Sequence, residues 1–352
     1  MHRTELRPSV TSSLLDRGPQ GNPVPVSHST LQPVSVSFNS LHKASRISYH
    51  LSRHGLRHRS CLGCCAHQAA DLQHHGIPGF VSIVSSENGL PAVQLTNSAG
   101  WSALVHLAGC RIASWIMPSG DQILSIPADA HDSRATAHGI VPEFPMSSEA
   151  GAASSHSSPW QISSTSADLQ PDERDPEVEL VLSSDESGSA AWPFLFRAVH
   201  SVSLHGDQLR SDLRIYNLDS QPVSFTAMLH SHIEVVEVPT SRVIGLEGAT
   251  TSLASFRNPT EGPVLQLGRQ GMEQVFFNVP DYLELDVGSG AAVALTSDGW
   301  ADVIVRSPAA QAVTRGTASA HCCLSRAMVG RPVVIQPGGS WRAQQSWNTV
   351  DL

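Results

Sequence analysis

From Gly76 onward the chain runs through short stretches in which apolar and polar residues alternate, separated by turn residues. The stretches are Phe80 to Val84, Ala92 to Thr96, Ser102 to His106, Arg111 to Trp115, Glu177 to Leu182, Phe194 to Leu204 and Gln208 to Tyr216. They continue at Val223 to His230, Val275 to Val279, Leu283 to Val287, Ala291 to Leu295, Asp302 to Val305, Pro332 to Ile335 and Ser340 to Trp347. A period of two, rich in Val, Ile, Phe and Thr, predicts strands with one buried face, and no helical pattern exceeds two turns. His205-Gly206-Asp207 and Gly288-Ser289-Gly290 sit between paired runs and predict hairpins. The expectation is an all-β protein, one large antiparallel β-sandwich spanning residues 76–350. Met146 to Pro159 (MSSEAGAASSHSSP) is small and polar, and predicts a long loop with nothing to pack on a core.

Charge divides the 352-residue chain unevenly. Residues 1–70 hold eight Arg or Lys against Glu5 and Asp16, whereas the whole chain carries 22 basic against 31 acidic residues, so the remainder is strongly acidic. An acidic body lacks the clustered cations that phosphate backbones and anionic membranes require, which excludes nucleic acid and membrane-surface partners. No apolar run reaches the ~18 residues of a membrane span. The Ser-rich, Arg-bearing, acid-poor start has the composition of an organelle transit peptide, read as residues 1–67, disordered, and chloroplast rather than mitochondrial. Cys61-x-x-Cys64 has no second ligand pair to make a zinc knuckle, and Cys110, Cys322 and Cys323 read as buried, unpaired thiols.

An ordered set of strings is more specific than the periodicity. Ala108 to Trp115 (AGCRIASW), Gly120 to Leu124 (GDQIL), Gly139 to Pro145 (GIVPEFP), Trp192-Pro193-Phe194 and Ser224 to His230 (SFTAMLH) resemble hexose-6-phosphate 1-epimerases of the galactose-mutarotase-like superfamily. Gly245-Leu246-Glu247-Gly248, Val303 to Pro308 (VIVRSP) and Pro332 to Trp341 (PVVIQPGGSW) extend the resemblance to the end of the chain. It implies a large β-supersandwich with a sugar cleft on one concave face, and it implies no cofactor. It also implies anomer interconversion, in which a carboxylate takes the proton of the anomeric hydroxyl while a His protonates the ring oxygen. Arginines would hold a 6-phosphate.

By that resemblance His230 falls on the catalytic His, and alternation from Val223 puts it with Ser224, Thr226, Met228 and His232 on a cleft face. The other positions depart from the pattern. The general-base Glu falls on Ser325, with no base expected beside it, and an Arg ahead of the Gly-Gly-Ile-Pro string falls on Ala137. A His-Gly-Phe-Ala-Arg segment becomes His156 to Trp160, and Val-Asp-Arg becomes Met272-Glu273-Gln274. His156, His232 and Glu273 remain as substrate-binding candidates, with Arg134, Arg306 and Arg326 as compensating cations. His230-x-His232 could ligate a metal, but no third ligand is identifiable and no metal is expected.

An eroded site behind a plastid-like leader is similar to the mutarotase-fold subunits of the chloroplast photosynthetic NDH complex. Gln73 to Phe80 (QHHGIPGF), Val238-Pro239-Thr240 and Ser297 to Trp300 (SDGW) carry that similarity. It implies a non-catalytic subunit on the stromal side of the thylakoid whose partners are protein subunits. Two alternatives are an epimerase that has relocated its base to Glu273, and a carbohydrate-binding protein with Trp160, Trp192 and Trp300 as sugar platforms.

Overall fold

The computed structural model describes residues 72–86, 89–125, 138–146, 155, 158–167, 175–184, 192–251, 264–316 and 318–351. The leader expectation for residues 1–67 lies outside the described residues, as do Ala137, Arg134 and His156.

Nineteen strands form among the described residues. In chain order they are β1 (Val81–Ser85), β2 (Pro91–Thr96), β3 (Ser102–His106), β4 (Arg111–Ile116), β5 (Ile140–Glu143), β6 (Gln161–Ala167), β7 (Pro176–Ser183), β8 (Phe196–His205), β9 (Gln208–Asn217) and β10 (Val223–Glu234). They continue as β11 (Arg242–Ile244), β12 (Thr250–Thr251), β13 (Val264–Gln266), β14 (Met272–Phe277), β15 (Tyr282–Asp286), β16 (Ala291–Asp298), β17 (Asp302–Ser307), β18 (His321–Ile335) and β19 (Ser340–Asp351). Ten strands make one sheet in the order β1-β2-β3-β4-β5-β10-β18-β17-β14-β12, and nine make the other, β13-β11-β15-β16-β19-β9-β8-β7-β6. Every pairing within them is antiparallel. Among the described residues the one α-helical element is a single turn, Ala310–Thr314.

Alternation places the core between the sheets. Leu209, Leu213 and Ile215 of β9 face Val223, Phe225, Ala227 and Leu229 of β10 within one continuous buried cluster. Side chains of successive residues leave opposite faces, so the same alternation pushes His230 and His232 out of that core. His205 pairs with Gln208 across Gly206, whose φ of +57° is the left-handed value a two-residue hairpin needs. Trp160, Trp192 and Trp300 are all buried in the core cluster. They anchor the sheets, which removes the sugar-platform alternative.

The 146–159 segment is corrected in part. Ser155 is buried, accepts the Phe144 amide at 3.0 Å and donates to the Pro142 carbonyl at 3.0 Å, while Trp160 Nε1 donates to the Ser155 carbonyl at 3.2 Å. Small residues pack here because their hydroxyls satisfy backbone groups that a larger side chain would displace. A deletion reaching Ser155 therefore removes structure and not merely a tether.

Gly139 fixes the start of β5. Its φ is +81° and a Cβ there would lie 2.2 Å from the Ile112 carbonyl oxygen. The close approach lets the Gly139 carbonyl accept the His232 amide at 2.9 Å. We expect Gly139→Ala to cost about 3 kcal/mol or more through backbone strain and collision. Thermal unfolding should show a fall in Tm of about 6 °C or more.

Candidate functional site

The ten-stranded sheet turns one face away from the core, and four strands place the site there. β10 lies between β5 and β18, with Met228 opposite Glu143 on one side and His232 opposite Cys323 on the other. β17 follows β18, with Ile304 opposite Ser325 and Arg306 opposite Cys323. Directly opposed residues share a face, so His230, Glu143, Ser325, Cys323, His232, Ile304 and Arg306 form one surface.

Its centre is His230. The Nε2 atom lies 2.8 Å from Oε2 of Glu143, and Nδ1 lies 3.3 Å from the Ser325 hydroxyl, which in turn is 3.1 Å from the Cys323 sulfur. Ser325 is fully buried, whereas the His230 and Glu143 side chains retain 16% and 22% of their exposure, so only the pair could meet a ligand. Burial opposes charge on His230, but its bonds to Cys323 and Glu143 outweigh burial and raise its pKa to about 9. Burial would likewise push the Cys323 thiol up, but His232 and His230 beside it pull it well below its ordinary value.

Toward one end the surface is imidazole-rich. The rings of His138, His232 and His321 are mutually 5.5 Å apart. Each is tied from behind: His232 Nδ1 lies 3.3 Å from the Gly139 carbonyl, His321 Nδ1 lies 3.0 Å from the Ser319 carbonyl, and His138 Nδ1 lies 3.5 Å from the Ser125 hydroxyl. Burial, then repulsion from His232 and His321, lowers His138 to about 4, so it is neutral at physiological pH. Among the described residues no group of three or more His, Cys, Asp or Glu is arranged to hold a metal ion. His230 in particular has both ring nitrogens engaged, so His230-x-His232 is not a chelating pair. Toward the other end Met228, Ile304 and Ala327 are buried under Met146, Val275 and Val329, a small apolar cluster separate from the main core.

The remaining candidates are placed differently from expectation. Glu273 does lie on this face, but it pairs with Arg306 at 3.3 Å on β14, three strands from β10. Strand spacing of about 4.8 Å puts it about 14 Å to the side of His230, too far to share one anomeric centre. Gln274 is buried, with the inward parity of Phe276, so an Arg at that position would not reach the cleft. Arg326 is also buried with inward parity, donating to the Pro280 and Asp281 carbonyls at 2.8 and 2.9 Å, and is no phosphate clamp. Arg306 is the one compensating candidate that the structure places on the face, and it is tied to Glu273.

The main addition is that Ser325 has an imidazole beside it, one held protonated at neutral pH. His230 reaches it from the neighbouring strand, a contact between residues 95 positions apart that local spacing does not show. Glu143 was likewise missed: it stands in the quoted GIVPEFP string, but its role depends on β5 pairing with β10.

A profile of the aldose 1-epimerase family matches residues 91–348, spanning both sheets and every residue of the site. The chain belongs to the aldose 1-epimerase family. A protein of Cenchrus ciliaris provisionally named glucose-6-phosphate 1-epimerase is 25% identical over 293 residues, covering 77% of this chain and 88% of the relative. Among solved structures, a protein of Salmonella typhimurium provisionally described as a mutarotase superposes with a TM-score of 0.66 at 14% identity, covering 79% of this chain and 96% of the other. A galactose mutarotase-like protein of Clostridium acetobutylicum gives 0.60 at 12% identity, covering 78% and 99%. At such identities these structures establish the shared mutarotase-like sandwich, and the site must be argued from its own residues.

Proposed function

We propose that this chain is an aldose 1-epimerase-family protein without anomer-interconverting activity, serving as a subunit of the chloroplast photosynthetic NDH complex. The supporting observation is the serine at position 325. Where the family resemblance expects a carboxylate, a fully buried hydroxyl is bonded to His230 and cannot hold the proton of an anomeric hydroxyl. Glu143 does not replace it: its Oε2 meets Nε2 of His230, the nitrogen that would have to protonate the ring oxygen. Acid and base engage each other before a sugar arrives. Losing a positioned base costs typically 10²–10⁴-fold, which leaves little rate over buffer.

The leader composition and the similarity to mutarotase-fold NDH subunits support the location and the partners. With an acidic body and no helix among the described residues long and apolar enough to cross a membrane, attachment would run through protein contacts. Native separation of solubilised thylakoids tests this part. Co-migration with a large assembly is expected, and migration alone would sink it.

One observation favours a second reading. A protonated His beside a carboxylate at 2.8 Å is also a bifunctional acid and base, and an epimerase could use Glu143 if a sugar displaced it from His230. Exchange spectroscopy on glucose 6-phosphate separates the readings. No enhancement over buffer is expected from the wild type, His230→Ala or Glu143→Gln. An enhancement abolished by both substitutions would refute the non-catalytic reading.

A further inference from the structure

The nine-stranded sheet carries a second polar site on its solvent face, away from His230. A trough of about 470 Å³ crosses β7, β8, β9, β19 and β16, and every side chain lining it is polar. The register explains its shape. One row across the strands runs Glu177, Ser203, Arg210, Ser346, Thr296, and the next runs Ser201, Asp212, Gln344, Asp298. Serines and a threonine alternate with long side chains, so short hydroxyls form a floor between walls of Arg, Asp and Gln. Five strands at about 4.8 Å spacing give a trough about 19 Å long, running perpendicular to the strands.

The walls are held in place. Asp212 accepts Nε of Arg342 at 2.9 Å and Nε of Arg214 at 3.2 Å, and Arg342 also donates to Gln344 at 3.2 Å. Burial would raise the Asp212 carboxyl, but its bonds from Arg342 and Arg214 hold it below its ordinary value, so this fan is charged and fixed at neutral pH. Arg210, Arg214 and Arg342 are balanced by Glu177, Asp212 and Asp298, all in the lining. A phosphate or polyanion would meet three carboxylates, and no hydrophobic side chain lines the trough to hold an apolar ligand.

We propose that this trough binds a neutral, linear, polyhydroxylated chain of the oligosaccharide class, laid across the strands. Planar carboxylate, amide and guanidinium groups present donors and acceptors in adjacent pairs, which vicinal hydroxyls match. The hydroxyl floor adds short contacts beneath. No aromatic platform lines the trough, so affinity rests on hydrogen bonds exchanged with water, and a Kd of about 1 mM is expected. The inference is independent of the reading of His230, because the two sites lie on different sheets.

Saturation-transfer difference NMR on the full chain tests it, with maltotetraose and cellotetraose as probes. Transfer to at least one probe is expected for the wild type and for His230→Ala. Ser346→Trp fills the floor, and Arg342→Ala opens the wall; each should weaken binding at least about fivefold while Tm shows that the exposed face tolerates the change. Because either variant alone could be misfolded, both are needed. Absence of transfer to both probes, transfer unchanged in both folded variants, or transfer lost in His230→Ala would each overturn the proposal.

Discussion

The Ser325→Glu variant is expected to lose stability and gain no activity. The position the family resemblance assigns to the base is fully buried here, its hydroxyl fitted between Nδ1 of His230 and the sulfur of Cys323. A glutamate adds atoms to a filled space, which costs about 1–3 kcal/mol, and brings a charge whose desolvation adds several more unless it pairs. His230 would turn Nδ1 toward that carboxylate, but its single charge is already matched by Glu143 at Nε2, so two carboxylates would share one cation. A net loss of about 3 kcal/mol is the expectation, read as an earlier midpoint in urea at unchanged slope. Anomer exchange of glucose 6-phosphate should stay at the buffer rate, because catalytic groups act as a unit and one side chain does not rebuild the surrounding shell. A stable variant with a measurable rate would mean that the cleft opens further than its packing shows, and the non-catalytic reading would fall.

The reasons for that expectation were only half visible in the sequence. Strands whose two faces differ strongly, such as β8, β9, β10, β16 and β19, announce themselves by alternation, and the alternation of β10 correctly separated His230 and His232 from Phe225 and Leu229. β6 was missed because QISSTSA has no apolar face to reveal: it is an edge strand, paired only to β7 and exposed along much of its length. β5 was missed because it is four residues long with a proline inside it. The first half of β18 was hidden by its cysteines, Ser325 and Arg326, which look polar yet are buried on both faces of the strand, so no alternation shows. The omissions of β5 and of the first half of β18 hid the site. Glu143 comes from β5 and Ser325 from β18, and the imidazole group of His138, His232 and His321 assembles from three separate segments. Periodicity reports which way a side chain points relative to its own strand; which strand lies beside it is decided by the topology of the whole sheet.

The same limit applies to His200, the most deeply buried of three histidines whose titration couples the fold to acid. It lies on β8 in the sheet opposite the site and is fully buried, with Nδ1 2.9 Å from the Cys110 sulfur and Nε2 2.6 Å from the Ser211 hydroxyl. Burial lowers its pKa from 6.5 to about 4. The unfolded chain therefore takes up a proton near pH 6.5 that the native state refuses until about pH 4. Native stability from this group is fully present above pH 6.5 and is lost as pH falls through that window, by on the order of 3 kcal/mol. His106 and His138, also lowered to about 4, act in the same direction but are less deeply enclosed. His230 acts oppositely: its raised value favours the folded state below pH 6.5, and that contribution is lost as pH rises through about 9. Stability should consequently peak near neutrality and fall on both sides. His200→Leu separates the contributions. It leaves Ser211 and Cys110 without their partner and should lower stability at pH 7 by about 1–3 kcal/mol, while flattening the decline between pH 6.5 and 4. Urea unfolding at a series of pH values reads both effects. An acid limb as steep in the variant as in the wild type would show that His200 is not among the groups that couple protons to folding.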